Sequence, residues 1–242
     1  MEKIEWSKAV HEMMGNLVRI ETHGDGYGSG FIIPPPMNTS GNCCVLTAYH
    51  VIELAHKTGA TITIRSAKHG MGIDIPSLLR HVFFIKERDQ AIISFNAPKD
   101  FASLQTVHFL AHEYHYNPGV ELGWLGFPNL KKAINVPCFL AGRISAYLPD
   151  DEAYLIDGVS IHGISGGPAF YCDEDKVVLA GIVTDYYPNE VNNQSWPGLA
   201  MFRTINPLME LYEAQDKNSM PTLLSPPSHG MNPSKESKRE GA

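Results

Sequence analysis

The chain predicts an all-β fold of two barrels followed by a short C-terminal helix, and three observations carry that expectation. Short apolar runs rich in Val, Ile and Phe recur between Gly, Pro, Asn and Asp turns. They gather into two groups, at about residues 15–100 and about residues 117–203. One amphipathic stretch, Thr204 to Gln215, follows both groups, with Ile205, Leu208, Met209, Leu211 and Tyr212 on its apolar side. In the first group Leu17–Ile20, Ser29–Ile33, Cys44–Leu46, Thr61–Arg65 and Ala91–Phe95 read as strands, with residues 34–42 as a loop and His50–Ala55 as a short helical turn. In the second, Glu121–Gly126, Pro137–Ser145, Glu152–Ile156, Pro168–Tyr171, Val177–Asp185 and Leu199–Phe202 read as strands. Closure into barrels removes exposed strand edges. Ahead of them, Ile4, Ala9, Val10, Met13 and Met14 share one face of a helix or arm over residues 1–14 that packs on the barrel. Residues 217–242 are too poor in apolar side chains to offset the entropy of ordering and are expected to be disordered.

Composition narrows the function classes. Of 242 residues, 43% are hydrophobic, as in a globular protein. No apolar run approaches the roughly 20 residues of a membrane span. The N-terminus lacks a basic start followed by an apolar core. The adjacent pair Cys43-Cys44, with only Cys138 and Cys172 besides, is a poor disulfide framework, so a reduced chain and a cytoplasmic location are expected; a mature chain with its signal removed is the alternative. The net charge of −7 weighs against nucleic-acid or anionic-membrane partners, and residues 235–240 are too short and mixed a basic cluster to reverse it.

The chemistry concentrates in His162-Gly163-Ile164-Ser165-Gly166-Gly167-Pro168. Glycines free the backbone to turn successive N–H groups toward one point, which suits a nucleophile beside an oxyanion hole. A Gly-Pro loop with an incidental serine is the plainer reading. A serine hydroxyl needs a base and the base an orienting carboxylate. His50 ends the apolar run from Val45, and Asp89 opens the strand Ala91–Phe95. Asp74 and Asp100 are rival acids, but neither is followed by an Ala-Ile-Ile strand. His108, His112 and His115 would make a metal site only on a helix, and no Cys or carboxylate pattern completes one; surface or linker histidines are the default, and neither metal nor cofactor is expected.

These residues carry a resemblance. Thr47-Ala48-Tyr49-His50 is similar to Thr-Ala-x-His, residues 89–93 to Asp-x-Ala-x-Leu, and residues 163–168 to Gly-x-Ser-Gly-Gly-Pro of the chymotrypsin-fold (trypsin-like) serine peptidases. Gly28–Ile33, Gly181–Thr184 and Pro197–Ala200 also resemble that family's Gly-x-Gly-Phe, Gly-Ile-x-Ser and Pro-Gly-Val-Tyr strands, in family order. The likeness runs from Val18 to Glu213 and is nearest the compact bacterial HtrA and V8-type branch, without a PDZ-sized domain.

The resemblance implies two six-stranded antiparallel barrels with the active site in the cleft between them, within a single protease domain over residues 1–216. It implies a triad of His50, Asp89 and Ser165, with Gly163 and Ser165 N–H groups as the oxyanion hole. It gives Thr184 a hydroxyl that bonds the acid, and forms the substrate pocket from Val159 at its floor with Ser160, Thr184, Tyr186 and Gly198, selecting small to medium apolar P1 residues. Asp185 and His162 serve either polar contacts or local loop geometry. Ile164 stands where a processed relative has an acid, which implies activity without N-terminal cleavage. A protein or peptide substrate is implied, and a regulatory protein partner is left open. The rival function is a binding or scaffold module with a latent triad. Esterase action by the same residues is a third reading, although the Gly-x-Ser-x-Gly elbow and Ser…Asp…His order of the α/β-hydrolases are missing.

Overall fold

The structure is a computed structural model that describes residues 6–23, 26–35, 42–98, 101, 108–109, 115–130, 135–173, 176–191 and 194–218. His112, Asp100 and the expected disordered stretch from Ser219 onward lie outside the described residues. The first half contains α1 (Trp6–Met14), β1 (Leu17–Thr22), β2 (Tyr27–Ile33), β3 (Cys43–Thr47), α2 (Tyr49–Thr58), β4 (Ile62–Ser66), β5 (Gly72–Ile75), β6 (Arg80–Ile85) and β7 (Gln90–Phe95). The second contains β8 (His108–Phe109), β9 (Glu121–Gly126), β10 (Cys138–Leu148), β11 (Ala153–Ile156), β12 (Pro168–Asp173), β13 (Lys176–Val191), β14 (Gln194–Arg203) and α3 (Asn206–Asn218).

The expectation of two closed six-stranded barrels holds for one half only. In the second half β12-β9-β10-β11-β14-β13 close into a ring through β12–β13 pairing, and β8 adds a parallel edge on β13. The first half is a seven-stranded curled sheet in the order β5-β4-β1-β2-β3-β7-β6, and no ladder among the described residues joins β5 to β6. The reason is local. Pro76, which has no N–H to give a ladder, and the 3-10 turn Ser77–Leu79 carry the chain across the opening. Arg80, 7% exposed, ties it instead. Its guanidinium donates to Ile75 O at 2.7 Å, Ala60 O at 2.7 Å and Ala55 O at 3.0 Å.

Three apolar clusters fill the molecule. One, with Ile20, Val45, Ile52 and Ile93, sits within the first sheet, and one, with Trp124, Ile156, Ile164 and Phe202, within the closed barrel. The third is the seam between halves, where Phe31, Leu46 and Ile92 meet Leu125, Phe170 and Ile182. The helices seal that seam. On α1, Ala9 and Met13 are buried in it, and Trp6 stacks near Phe139 while donating to Glu121 Oε1 at 3.0 Å. On α3, Ile205, Leu208 and Tyr212 are buried in it. All four cysteines are free thiols, and burial, with the neighbouring Cys44, pushes the Cys43 thiol up to about 12. Among the described residues no helix is long and apolar enough to cross a membrane.

Replacing Arg80 with Met keeps an apolar stem but leaves three carbonyls without their donors. Urea unfolding is expected to show a loss of about 1–3 kcal/mol, and Arg80→Lys, with one ammonium for three acceptors, to recover only part of it.

Candidate active site

The base and the acid meet at a helix start. Tyr49, Ile52 and Ala55 recur at helical spacing and bury one face of α2, which turns His50 to the open side of its first turn. Gly59, at φ 70°, stops the helix in the left-handed conformation. The first N–H groups of a helix have no partner within it. Here Asp89 supplies them: its carbonyl accepts from Tyr49 N at 3.1 Å and its Oδ1 from His50 N at 2.8 Å. Its other oxygen, Oδ2, lies 2.7 Å from His50 Nδ1. The acid therefore fixes the ring, the tautomer that donates from Nδ1, and the backbone beneath them.

Asp89 holds this pose from a left-handed backbone, φ 51° and ψ 46°, that caps the 3-10 turn Lys86–Arg88. Aspartate tolerates that region better than most residues. Of the rival acids, Asp74 lies on β5 and accepts from Thr63 Oγ1 at 2.6 Å.

Burial pulls the His50 imidazole down. The hydrogen bond to Asp89 and the negative charges of Asp89, Asp185 and Glu53 outweigh it and raise His50 above the usual histidine value.

Three of the five N–H groups from Gly163 to Gly167 give backbone hydrogen bonds that build the serine loop. Ile164 N donates to Ile161 O at 3.0 Å, Gly166 N to Val183 O at 2.7 Å and Gly167 N to Ile164 O at 2.8 Å. The bond from Ile164 to Ile161, with Gly163 at φ 96°, defines a type II turn, which needs glycine at its third position. A Cβ on Gly163 would also collide with Phe127 O and the Tyr27 ring. Asn129 N donates to His162 O at 2.6 Å, and since the peptide is planar and trans, the Gly163 N–H points the opposite way. Among the described residues neither Gly163 N nor Ser165 N gives a hydrogen bond to a backbone carbonyl.

One residue of the first half holds this loop. Ser29, fully buried on β2, donates its hydroxyl to Gly163 O at 2.7 Å and accepts from Phe127 N at 2.8 Å. Its backbone N–H donates to Ser165 O at 2.9 Å. Its carbonyl accepts from Thr47 Oγ1 at 2.7 Å, three residues before His50.

His50, Asp89 and Ser165 line one cleft of about 470 Å³ between the halves. No hydrogen bond joins Ser165 Oγ to His50 among the described residues. Of the residues expected around the substrate, Ser160 and Tyr186 line this cleft, as do Asp185 and His162. Val159, expected at the floor, is 43% exposed and does not line it, and neither Gly198 nor Thr184 does. Thr184 is fully buried, and its hydroxyl accepts from Arg203 Nη1 at 3.0 Å where a bond to the acid was expected.

Met201 and Arg203, which the motif count did not select, do line the cleft. Bulges in the β13–β14 ladder pair Tyr186 with Ala200 and Asp185 with Met201, so the cleft meets β14 beyond the Pro-Gly pair. Met201-Phe202-Arg203-Thr204, two apolar residues followed by two polar ones, carries no local pattern that singles them out. Of the histidines, His108 lies on β8 and His115 Nδ1 is 3.4 Å from Tyr154 Oη.

A serine bounded by glycines thus lines one cleft with a histidine that is clasped by an aspartate. A family model for the trypsin-like peptidase domain matches residues 28–182, and the chain belongs to that family. Among solved structures, the chain is similar to that described as "Crystal structure of Deg5", at 17% identity and a TM-score of 0.58, covering 87% of this chain and 95% of that one. It is similar also to an inactive serine-to-alanine mutant of Rv3671c from M. tuberculosis H37Rv, at 18% identity and a TM-score of 0.56, covering 86% and 91%. A comparison with curated proteins gives no match.

Replacing Asp185 with Asn removes one of the carboxylates facing the imidazole. In an NMR titration the His50 midpoint is expected to start above the usual histidine value and to fall in this variant; a midpoint that does not move would dismiss the charge of Asp185 as a cause.

Proposed function

We propose that the chain is a serine endopeptidase in which Ser165 is the nucleophile, His50 the general base and acid, and Asp89 the residue that orients and stabilises the imidazolium. The observation that carries this reading is the double grip of Asp89 on His50 at the wall of the cleft that Ser165 also lines. Ser165 Oγ attacks the scissile carbonyl as His50 Nε2 takes its proton. The oxyanion that forms is held by the N–H groups of Gly163 and Ser165, each such donor contributing about 2.7–4 kcal/mol of barrier lowering. His50 then gives its proton to the leaving amine, and water enters to hydrolyse the acyl-enzyme by the same steps in reverse.

The type II turn and the outward-held His162 carbonyl support a hole that is already shaped without cleavage of the N-terminus. Ile164, which takes the place of an acid in processed relatives, is fully buried in the barrel core, where a charged side chain has no role. The unmade bond between Ser165 Oγ and His50 favours the latent-triad reading, although such bonds often tighten only when substrate is bound. A fluorophosphonate probe separates the two. Uncut full-length protein is expected to label at Ser165 and to hydrolyse peptides, and Ser165→Ala to lower turnover roughly 10⁶-fold. Absence of labelling would leave only the scaffold. Because the base must be neutral to act, kcat/KM is expected to fall as pH drops through the raised His50 value, so its acidic limb lies above that of an ordinary histidine.

The small to medium apolar P1 preference rests on Ile161, Tyr186 and Met201 in the cleft wall. A P1 peptide library is expected to favour Ala, Val and similar residues; strong selection of Arg, Lys or Glu would overturn it.

A further inference from the structure

Asp89 stands between two buried polar side chains that the steps above do not use. Arg88 is 8% exposed and Gln90 fully buried. Both reach the same acceptor in the other half of the molecule. Gln90 Nε2 donates to Thr204 O at 2.9 Å, with Arg203 O further off at 3.5 Å. Arg88 Nη2 donates to Thr204 O at 3.3 Å. The two side chains also brace each other, Arg88 Nε donating to Gln90 Oε1 at 3.4 Å. Arg88 Nη1 forms an ion pair with Glu152 between β10 and β11. Burial, and then the charge of Arg203, lowers the Arg88 guanidinium, yet an arginine stays charged.

Burying polar groups is costly unless each is paired, and here each is paired in a way that also specifies geometry. What these specify is the backbone between them. A non-glycine residue in the left-handed region persists only where its surroundings fix it, and Asp89 is such a residue. Just beyond the shared acceptor the chain enters α3, and just before it lies Arg203, whose own side chain donates to Thr184 Oγ1 and Asp151 O. The anchor is thus itself fastened to the closed barrel that carries Ser165.

We propose that Gln90, braced by Arg88, is a positioning residue: its bond to Thr204 O locks the left-handed Asp89 turn against the closed barrel, so that both carboxylate oxygens meet His50 at the height of Ser165. The effect on rate rests on the peptidase reading; the clamp itself does not. The charged groups facing His50 are Asp89 from the turn before β7, Asp185 from β13 and Glu53 from α2. Of these, the clamp governs only the first.

The test is an NMR titration of His50 in the full-length chain, with the downfield Nδ1 proton followed alongside, for Gln90→Leu and Arg88→Met. Arg88→Met leaves Glu152, 60% exposed, free to face water. In both variants the His50 midpoint is expected to fall toward the usual histidine value and the Nδ1 proton signal to weaken, with Tm close to wild type. With peptide substrate, kcat is expected to fall about tenfold to a hundredfold at little change in KM. Arg88→Lys, which keeps a donor for Thr204 O, is expected to restore part of the shift. If Gln90→Leu does not fold, Arg88→Met carries the same titration. Folded variants with a wild-type His50 titration would overturn the proposal, and so would loss of fold in both, which would make the pair structural. A wild-type chain that cleaves nothing, with variants that still shift the titration, supports the clamp and overturns the peptidase reading.

Discussion

Two halves that fold around separate cores bring His50, Asp89 and Ser165 to one cleft. The constraint that makes this possible is the buried hydroxyl of Ser29. It stands on the sheet that leads to His50, yet its donor and acceptor are both spent on the other half, on Gly163 O and Phe127 N. With its backbone N–H on Ser165 O, one residue fixes two points of the serine loop and the end of β9 beside it. A side chain hydrogen bond is worth only about 0.5–1.5 kcal/mol net, but leaving such buried groups unpaired costs about 1–3 kcal/mol each. Any slippage between halves breaks several at once, so the loop has one position that is cheap and many that are not.

The sharp geometry of the loop follows from that anchor. Gly126 and Gly166 leave no room for a Cβ, because Ser29 Oγ stands against the first and Ser29 O with Thr47 Oγ1 against the second. The turn at Gly163 then has its carbonyl neighbours committed on both sides, His162 O to Asn129 and Gly163 O to Ser29. The peptide between His162 and Gly163 cannot rotate without losing one of them. Among the described residues the Gly163 N–H gives no backbone hydrogen bond, and the two committed carbonyls hold it in that orientation.

The sequence carried some of this plainly and some not at all. His50, Asp89 and Ser165 were legible because each lies in a local pattern that backbone sterics and helix-end hydrogen bonding impose nearby. The strands around them were legible for the same reason. β5 and β6 were not, since Gly72–Ile75 is short and Arg80–Ile85 follows no alternation, its one buried residue being Arg80 beside the apolar run Val82-Phe83-Phe84-Ile85. The open edge of the first sheet depends on where Arg80 sends its guanidinium, a contact across 25 residues that no local pattern announces. The cleft wall failed in a different way. Counting from a Pro-Gly pair assumes a regular ladder, and two bulges between β13 and β14 displaced the register, exchanging Gly198 for Met201 and Arg203. Thr184 kept its position and changed its partner, because an arginine 19 residues away took its hydroxyl.

Arg203 explains why the two seams of the molecule need different chemistry. At the Ser29 seam every group is neutral, so hydrogen bonds and close packing together decide geometry and the gap between loop and sheet can be very small. At the Thr204 seam two guanidiniums approach each other, and their repulsion has to be balanced by Glu152 on one side and by carbonyls on the other. Ser165 is thereby tied to the neutral seam and Asp89 to the charged one. The His50 imidazole between them, half-exposed on the first turn of α2, is held from the Asp89 side and open on the side of the cleft.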